Sequence, residues 1–474
     1  MMEKNHALET DMYQLTMMAA NELAGKSNEL STFDLFVRRI PESRNYLLSC
    51  GLEEALNYLK NLRFTEEQIS YLKSLPAFQG EQHERFFEKL RNFRFTGDVW
   101  AVKEGTPIFS NEPLLIVRAP TFEAQLVETY LLNIIGSRTM FASKASRIVD
   151  NSRFYSQAME FGTRRSHDPE AAIACARAAY IAGFVATSNL EAGKRYGIPV
   201  SGTMAHAFVM GFASELDAFR AYSNAFPKNT VLLVDTYDIE QGIRNAITVA
   251  KEMESRGERL LGIRIDSGDL AHFSRLARNI LNENGLGYVK IVISNDLDEI
   301  KITDIRSKGG IADMLGIGTM VATSNDAPHL GVVYKLSEQE TKSGEMQPRI
   351  KISEGKITLP GLKQVYRFYG RDGRAYMDEI CLSGIEERKS GTPLLEKVME
   401  GGNIIVKMPT LEEIKIHAES ERKKLPDTLR GLTPNKYKVE LSSHLLVIQT
   451  QLIESAKAAI RNGQGHNATA KKIK

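Results

Sequence analysis

Residues 260–283 read Leu260-Leu-Gly-Ile-Arg264-Ile-Asp266-Ser-Gly-Asp269-Leu-Ala-His-Phe-Ser-Arg-Leu-Ala-Arg-Asn-Ile-Leu-Asn-Glu283: an apolar, β-prone run that breaks at two aspartates and a glycine and passes into a helix-length segment. The same order recurs on both sides. Runs at 158–164, 185–189, 200–206, 231–235, 289–296 and 314–319 complete a set of seven, with helical stretches such as 238–256 between them. Asp168-Pro169 supplies the cap and first residue of another helix. Seven β-then-α units in succession predict an α/β fold with a parallel sheet, and their number favours an irregular (β/α) barrel. An open doubly wound sheet is the structural alternative.

Outside this region the pattern changes. Residues 10–92 read as mostly helical with one strand at 31–38, and 97–121 as two or three short strands cut by Gly105-Thr-Pro107 and Asn111-Glu-Pro113. A helix is expected from Phe122 to about Ile148. Beyond Tyr334 a polar loop leads into a basic run, Arg349, Lys351, Lys356, Lys363 and Arg367, and then a hairpin at 364–369 and 374–382 about Gly370-Arg-Asp-Gly373. Lone strands need partners, so the hairpin is expected to pair with the early strands. The reading is a discontinuous α+β companion domain (1–150 plus 340–407), a barrel (151–339) and a helical C-terminal extension (408–474), with an amphipathic helix near 441–461 and a basic tail.

Composition narrows the function. The chain has 474 residues, and 61 Lys and Arg against 59 Asp and Glu leave a net charge of +2, so no global field favours nucleic acid or an anionic membrane. Any anion site must be built locally. Hydrophobic residues at 42% and charged residues at 25% fit a soluble globular protein. Cys50, Cys175 and Cys381 lie far apart and form neither a disulfide framework nor a metal motif, which points to a reducing compartment. With no clean apolar run after a basic start and none approaching ~20 residues, neither a signal peptide nor a membrane span is expected, and the expected location is cytoplasmic.

In parallel β/α architectures the carboxyl ends of the strands meet at one mouth, where the active site sits. Those ends read Phe161-Gly-Thr-Arg164-Arg165, Thr187-Ser188-Asn189, Gly202-Thr-Met-Ala-His206, Asp235-Thr236, Arg264-Ile-Asp266-Ser-Gly-Asp269, Ser294-Asn295-Asp296 and Gly316-Ile-Gly318-Thr319. Ser, Thr, Asp and Asn after a strand also cap helices, but arginine and histidine are not favoured caps. Gly318 and Thr319 suit a phosphate at a helix start, against the alternative of a simple tight turn. Asp266 and Asp269 suit ribose hydroxyls or magnesium, against capping and an ion pair with Arg264. His206 is placed to act as acid, base or nucleophile, whereas His167 reads as part of a cap. The basic run is either a solvated face or a phosphate clamp.

At these residues the chain resembles the nicotinate phosphoribosyltransferase family. The resemblance rests on an ordered series: Thr10-Asp-Met-Tyr13-Gln-Leu-Thr-Met17, Glu160-Phe-Gly-Thr-Arg164-Arg165, residues 183–189, Gly202-Thr-Met-Ala-His206, Leu233-Val-Asp235-Thr-Tyr, Ile263-Arg-Ile-Asp266-Ser-Gly-Asp269, Ile293-Ser-Asn295-Asp296, Gly316-Ile-Gly-Thr319 and Pro360-Gly-Leu-Lys363. It implies formation of nicotinate mononucleotide and pyrophosphate from nicotinate and phosphoribosyl pyrophosphate, with ATP as co-substrate and Mg2+ as cofactor, as the entry step of NAD salvage. It also implies an irregular barrel of the type II phosphoribosyltransferase kind and a homodimer with shared active sites.

By the same resemblance His206 is transiently phosphorylated, and Phe161 with Tyr13 of the partner subunit sandwiches the pyridine ring. Arg164 meets the nicotinate carboxylate with Ser188 at the ring edge. Asp235, Asn295 and Asp296 belong to the substrate site. Arg264 and Asp266 hold ribose and pyrophosphate, Asp266 with the metal. Gly318 and Thr319 hold the 5′-phosphate, which Arg38 and Lys351 or Lys356 reach across the dimer. The rival readings are a nicotinamide phosphoribosyltransferase, another phosphate-binding barrel enzyme, and a catalytically inactive binding or regulatory protein on the same fold.

Overall fold

The computed structural model describes residues 5–152, 155–353 and 356–461. They divide into two compact units. The first takes in the described residues up to Thr139, His329–Leu429 and those from Asn435 onward; the second is Met140–Pro328 with Arg430–Pro434.

The second unit carries the β/α repeat. Its strands are Gln157–Glu160, Ala186–Thr187, Val231–Leu233, Gly262–Ile265, Lys290–Ile293 and Met314–Ile317, all parallel. Ile291, Val292 and Ile293 are all buried, the near-continuous apolar run expected where both faces of a parallel sheet are covered. The helix Ile239–Ser255 is representative: Asp238 caps it by accepting from the Gln241 N–H, and Ile243, Ala246, Val249, Ala250 and Met253 form its buried stripe. A Cβ on Gly242 would collide with the Val234 carbonyl oxygen, so glycine lets this helix press on the sheet. Asp168, Asn189, Ser214, Asp269 and Asp298 cap five more helices in the same manner, each worth ~1 kcal/mol. Capping thus accounts for Asp269, whose carboxylate accepts from the His272 N–H at 3.0 Å.

The first strand of this sheet, Gln157–Glu160, lies beside the last, Met314–Ile317, as in a barrel, and that neighbourhood excludes the open doubly wound order. The barrel does not close. Of the run at 200–206 only Val200 bridges, to Thr187, leaving a seam between it and the edge strand Val231–Leu233. Ser201-Gly-Thr-Met-Ala205 is too small and polar to hold a strand without a second partner, and His206 opens a short helix, His206–Met210, instead of ending a strand. At the other end of the unit, Arg147 donates to the carbonyl oxygens of Gly431 and Leu432, and Arg430 pairs with Asp150 at 3.3 Å, so five residues from near the C-terminus are tied into the barrel unit.

The first unit is built on a seven-stranded sheet in which Leu30–Val37 lies between Pro113–Pro120 and Val332–Glu340, with Asp98–Val102 and Leu395–Glu400 beyond. The expected hairpin forms, as Lys363–Tyr369 and Ala375–Leu382, but it does not join the early strands. It makes a separate four-stranded sheet with Thr392–Pro393 and Lys438–Leu441. The stretch 408–461 is therefore not helical throughout; outside Arg430–Pro434 it belongs to the first unit, with helices Leu411–Lys423 and Ser443–Arg461 flanking that strand. The basic tail lies outside the described residues. The second unit also begins earlier than expected, at Met140, and yields to the first at His329 rather than 340.

Two members of the basic run are neither solvated nor free for phosphate. Lys363 is buried, with its ammonium 2.7 Å from Asp34 and further bonds to the carbonyls of Leu359 and Gly361. Arg367 is buried in a two-point bond to Asp378, which also accepts from the Tyr437 hydroxyl at 2.9 Å. Among the described residues no helix is long and apolar enough to cross a membrane.

Candidate active site

The strand ends of the second unit converge as the chain pattern requires. The strand Gly262–Ile265 delivers Arg264 and then Asp266. The Asp266 N–H and the Ser267 hydroxyl both donate to one Asp235 oxygen, at 3.0 and 2.6 Å, while the Ser294 hydroxyl donates to Asp266. Three neighbouring strand ends are thereby stitched together. The other Asp235 oxygen is buried with no hydrogen-bond partner, an acceptor available to a ligand.

His206 stands over this group. Its Nδ1 lies 3.2 Å from the Thr236 hydroxyl, and its Nε2 is 3.9 Å from the Asp266 carboxylate, beyond hydrogen-bond reach. Both side chains remain partly exposed. The Arg264 guanidinium donates to Thr203, and its Nε is buried without a partner. Burial chiefly, and then the charge of Arg164, hold its pKa below the usual arginine value, against the pull of Asp266 and Asp235. The Arg264 charge therefore feels that of Arg164, a repulsion that a nearby anion would relieve.

Phe161 follows the strand Gln157–Glu160, and its N–H donates to the Ile317 carbonyl at 2.7 Å. One edge of its ring rests on Gly316, where a Cβ would come within 2.8 Å of the ring. Glycine thus makes a seat for an aromatic platform that stays partly exposed. Arg164, on the 3₁₀ turn Thr163–Arg165, is exposed and donates back to the Phe161 carbonyl at 3.3 Å. Ser188 is fixed by its N–H to the Glu160 carbonyl at 2.9 Å. Asn295 and Asp296 are exposed and hold left-handed backbone conformations, φ 105° and 44°, strain of the sort that collects at functional loops. Gly318 caps the four-residue helix Thr319–Ala322, and Phe161's carbonyl leaves little room for a Cβ there.

In the first unit, Tyr13 stands exposed on the helix Met12–Leu23 beside the exposed Met12 and Met17. Arg38 and Lys351 lie near enough to Lys335 for their charges, together with burial as the largest cause, to hold its pKa down. Lys356 is exposed. Among the described residues no group of three or more His, Cys, Asp and Glu side chains is set to hold a metal. Asp266 fits magnesium only as one of the one or two protein carboxylates that such an ion uses alongside substrate phosphates.

Thr203, Thr236, Ser267 and Ser294 carry no separate role in the sequence reading, although each lies within a strand-end motif, and Gly316 figures there only as part of the Gly316-Ile-Gly318-Thr319 phosphate turn. Their signal was the recurrence of small hydroxyl residues and glycine where a cap was already present.

An open α/β barrel whose strand ends gather a histidine, carboxylates and arginines defines the class as a barrel enzyme. Comparison with known proteins specifies it. Residues 8–136 match the nicotinate phosphoribosyltransferase N-terminal domain, 156–353 the nicotinate phosphoribosyltransferase family domain and 385–449 the C-terminal domain. The chain is 39% identical to a nicotinate phosphoribosyltransferase of Bacillus subtilis, over 96% of each chain, and 40% identical to one of Mycobacterium tuberculosis, over 93% of this chain and 92% of that one. The crystal structure of human nicotinic acid phosphoribosyltransferase superposes with a TM-score of 0.82 at 28% identity, covering 94% of this chain and 99% of the human one. The chain belongs to the nicotinate phosphoribosyltransferase family.

Proposed function

We propose that the chain forms nicotinate mononucleotide and pyrophosphate from nicotinate and phosphoribosyl pyrophosphate, coupled to ATP hydrolysis. The observation that carries this is the pairing, at one mouth, of the Phe161 platform and Arg164 with the Arg264, Asp235, Asp266 and His206 group. The pyridine ring lies on Phe161, and Arg164 takes its carboxylate in two-point fashion. Ser188 at the ring edge places no negative charge against that carboxylate. The pyridine nitrogen attacks C1′ of the ribose as the bond from C1′ to the pyrophosphate oxygen breaks. Arg264 and Asp266 hold ribose and leaving group, with Asn295 and Asp296 beside them, and Gly318 and Thr319 hold the 5′-phosphate. Magnesium, when bound, neutralises charge on the departing pyrophosphate. Stabilisation of the ribose cation is electrostatic, without a covalent nucleophile.

His206 takes the γ-phosphoryl group of ATP on an unprotonated ring nitrogen, releasing ADP, and water later removes it. The exposed Tyr13, Met12 and Met17 support a homodimer in which Tyr13 closes over the partner's ring site. Arg38 and Lys351, with Lys356, then supply cations to the partner's phosphates. The test is turnover of labelled nicotinate with phosphoribosyl pyrophosphate and ATP, run beside nicotinamide. Use of nicotinamide in place of nicotinate overturns the substrate, and absence of acid-labile, base-stable phosphate after labelled ATP, or its persistence in His206→Ala, overturns the role of His206.

A further inference from the structure

Glu160 ends the strand Gln157–Glu160 with its side chain turned inward, only 1% exposed. A carboxylate buried so deeply is costly unless its oxygens are bonded. Each oxygen has one donor: the Gly162 N–H on Oε1, and the Thr187 hydroxyl on Oε2 at 2.6 Å. The Thr187 oxygen in turn accepts from the Asn189 N–H at 3.0 Å, and the Glu160 carbonyl accepts from the Ser188 N–H. One residue is therefore bonded both to the loop bearing Phe161 and Arg164 and to the loop bearing Ser188. Burial pushes its pKa up, while those two donors and the charge of Arg164 oppose the rise.

The chemistry of the link is specific. A carboxylate is the ordinary side-chain end that offers two acceptor atoms and no donor, and here it faces two donors. Glutamine would turn an N–H towards one of them, and aspartate is one methylene too short to span both loops. Gly162 is equally constrained, since a Cβ there would meet Ala322 at 2.7 Å and the Glu160 oxygen at 2.8 Å. We propose that Glu160 is a positioning residue for the nicotinate site, joining the Phe161 and Arg164 loop to the Ser188 loop so that ring platform, carboxylate clamp and ring edge hold one geometry. This rests on the reading that those three residues receive nicotinate.

The test compares Glu160→Gln, Thr187→Val, their double variant and Arg164→Ala in the full chain. Glu160→Gln is expected to raise KM for nicotinate about tenfold and KM for phosphoribosyl pyrophosphate less than about twofold. Thr187→Val should show the same selectivity, and the double variant should be no worse than Glu160→Gln alone, because both break one link. Equal effects on both KM values, or a lowered melting temperature with both KM values unchanged, overturn the proposal. If Arg164→Ala raises the nicotinate KM while the other two variants do not, the proposal alone fails. If Arg164→Ala leaves that KM unchanged, the ring-site reading fails and takes the proposal with it. Should Glu160→Gln not fold, Thr187→Val decides.

Discussion

Replacing Gly316 by alanine tests the aromatic platform with one added carbon. The new Cβ would lie 2.8 Å from Phe161 Cδ2, 2.9 Å from Cε2 and 3.2 Å from Ser294 Cβ. Carbon atoms rest at about 3.5–4.0 Å, so the ring must retreat by roughly 1 Å or the strand must yield. Overpacking of this sort costs about 1–3 kcal/mol of stability, and a misplacement of about 1 Å at a reacting pair costs on the order of 100-fold in rate. Initial rates with nicotinate varied at saturating phosphoribosyl pyrophosphate, and the reverse, separate the two effects. The expected result is a loss of about 10- to 100-fold in kcat/KM for nicotinate, with KM for phosphoribosyl pyrophosphate within about threefold of wild type. Because the damage passes through Phe161, the same alanine in a Phe161→Ala background should cost little more. Undiminished kcat/KM for nicotinate, or an equal loss without the phenyl ring, would refute the reasoning.

Arg264→Ala removes the half-buried guanidinium that donates to Thr203 and should weaken phosphoribosyl pyrophosphate far more than nicotinate, by about 100-fold in KM; steady-state kinetics in both substrates check the split. Arg367→Met strands the buried Asp378 carboxylate and should cost about 3–5 kcal/mol, read by denaturant unfolding; an unchanged midpoint contradicts the assigned pair. Burial pushes the Asp34 carboxyl up to about 6 despite Lys363. The folded state thus holds this proton more tightly than the unfolded chain, so the group's contribution is present below about pH 4 and is lost as pH rises through 6. Wild-type stability measured relative to Asp34→Asn should fall by up to about 3 kcal/mol over that window, and a flat or rising difference rejects the assignment.

The barrel was legible because its evidence is local: each apolar run, cap and helical stripe lies within about 25 residues, and the strand ends could be listed in order. What escaped depended on distant partners. The run at 200–206 reads like its neighbours, and only the open seam shows why it contributes a single bridge at Val200. Lys363 and Arg367 alternate with the buried Val365 on one strand face, so period two already put them inside. Asp378 was within reach too, since the hairpin register sets it opposite Arg367. Asp34, more than 300 residues before Lys363, gave no such sign. In the site, polar strand ends were visible as a set, but capping and ligand binding use the same residue types; Asp269 caps its helix, whereas the Asp235 carboxylate ties two neighbouring loops.

The five residues Arg430–Pro434 that dock on Arg147 and Asp150 carry a consequence for biogenesis. Ribosomes emit about 5–20 residues per second, so the barrel segment is complete in sequence several seconds before its last piece exists. The strand Leu30–Val37 likewise waits for Val332–Glu340 to cover its second edge. Neither unit has all of its sequence until most of the other has been made, so nascent chains pass through an interval with the second edge of Leu30–Val37 uncovered, the kind of exposed strand edge that makes folding intermediates prone to aggregation.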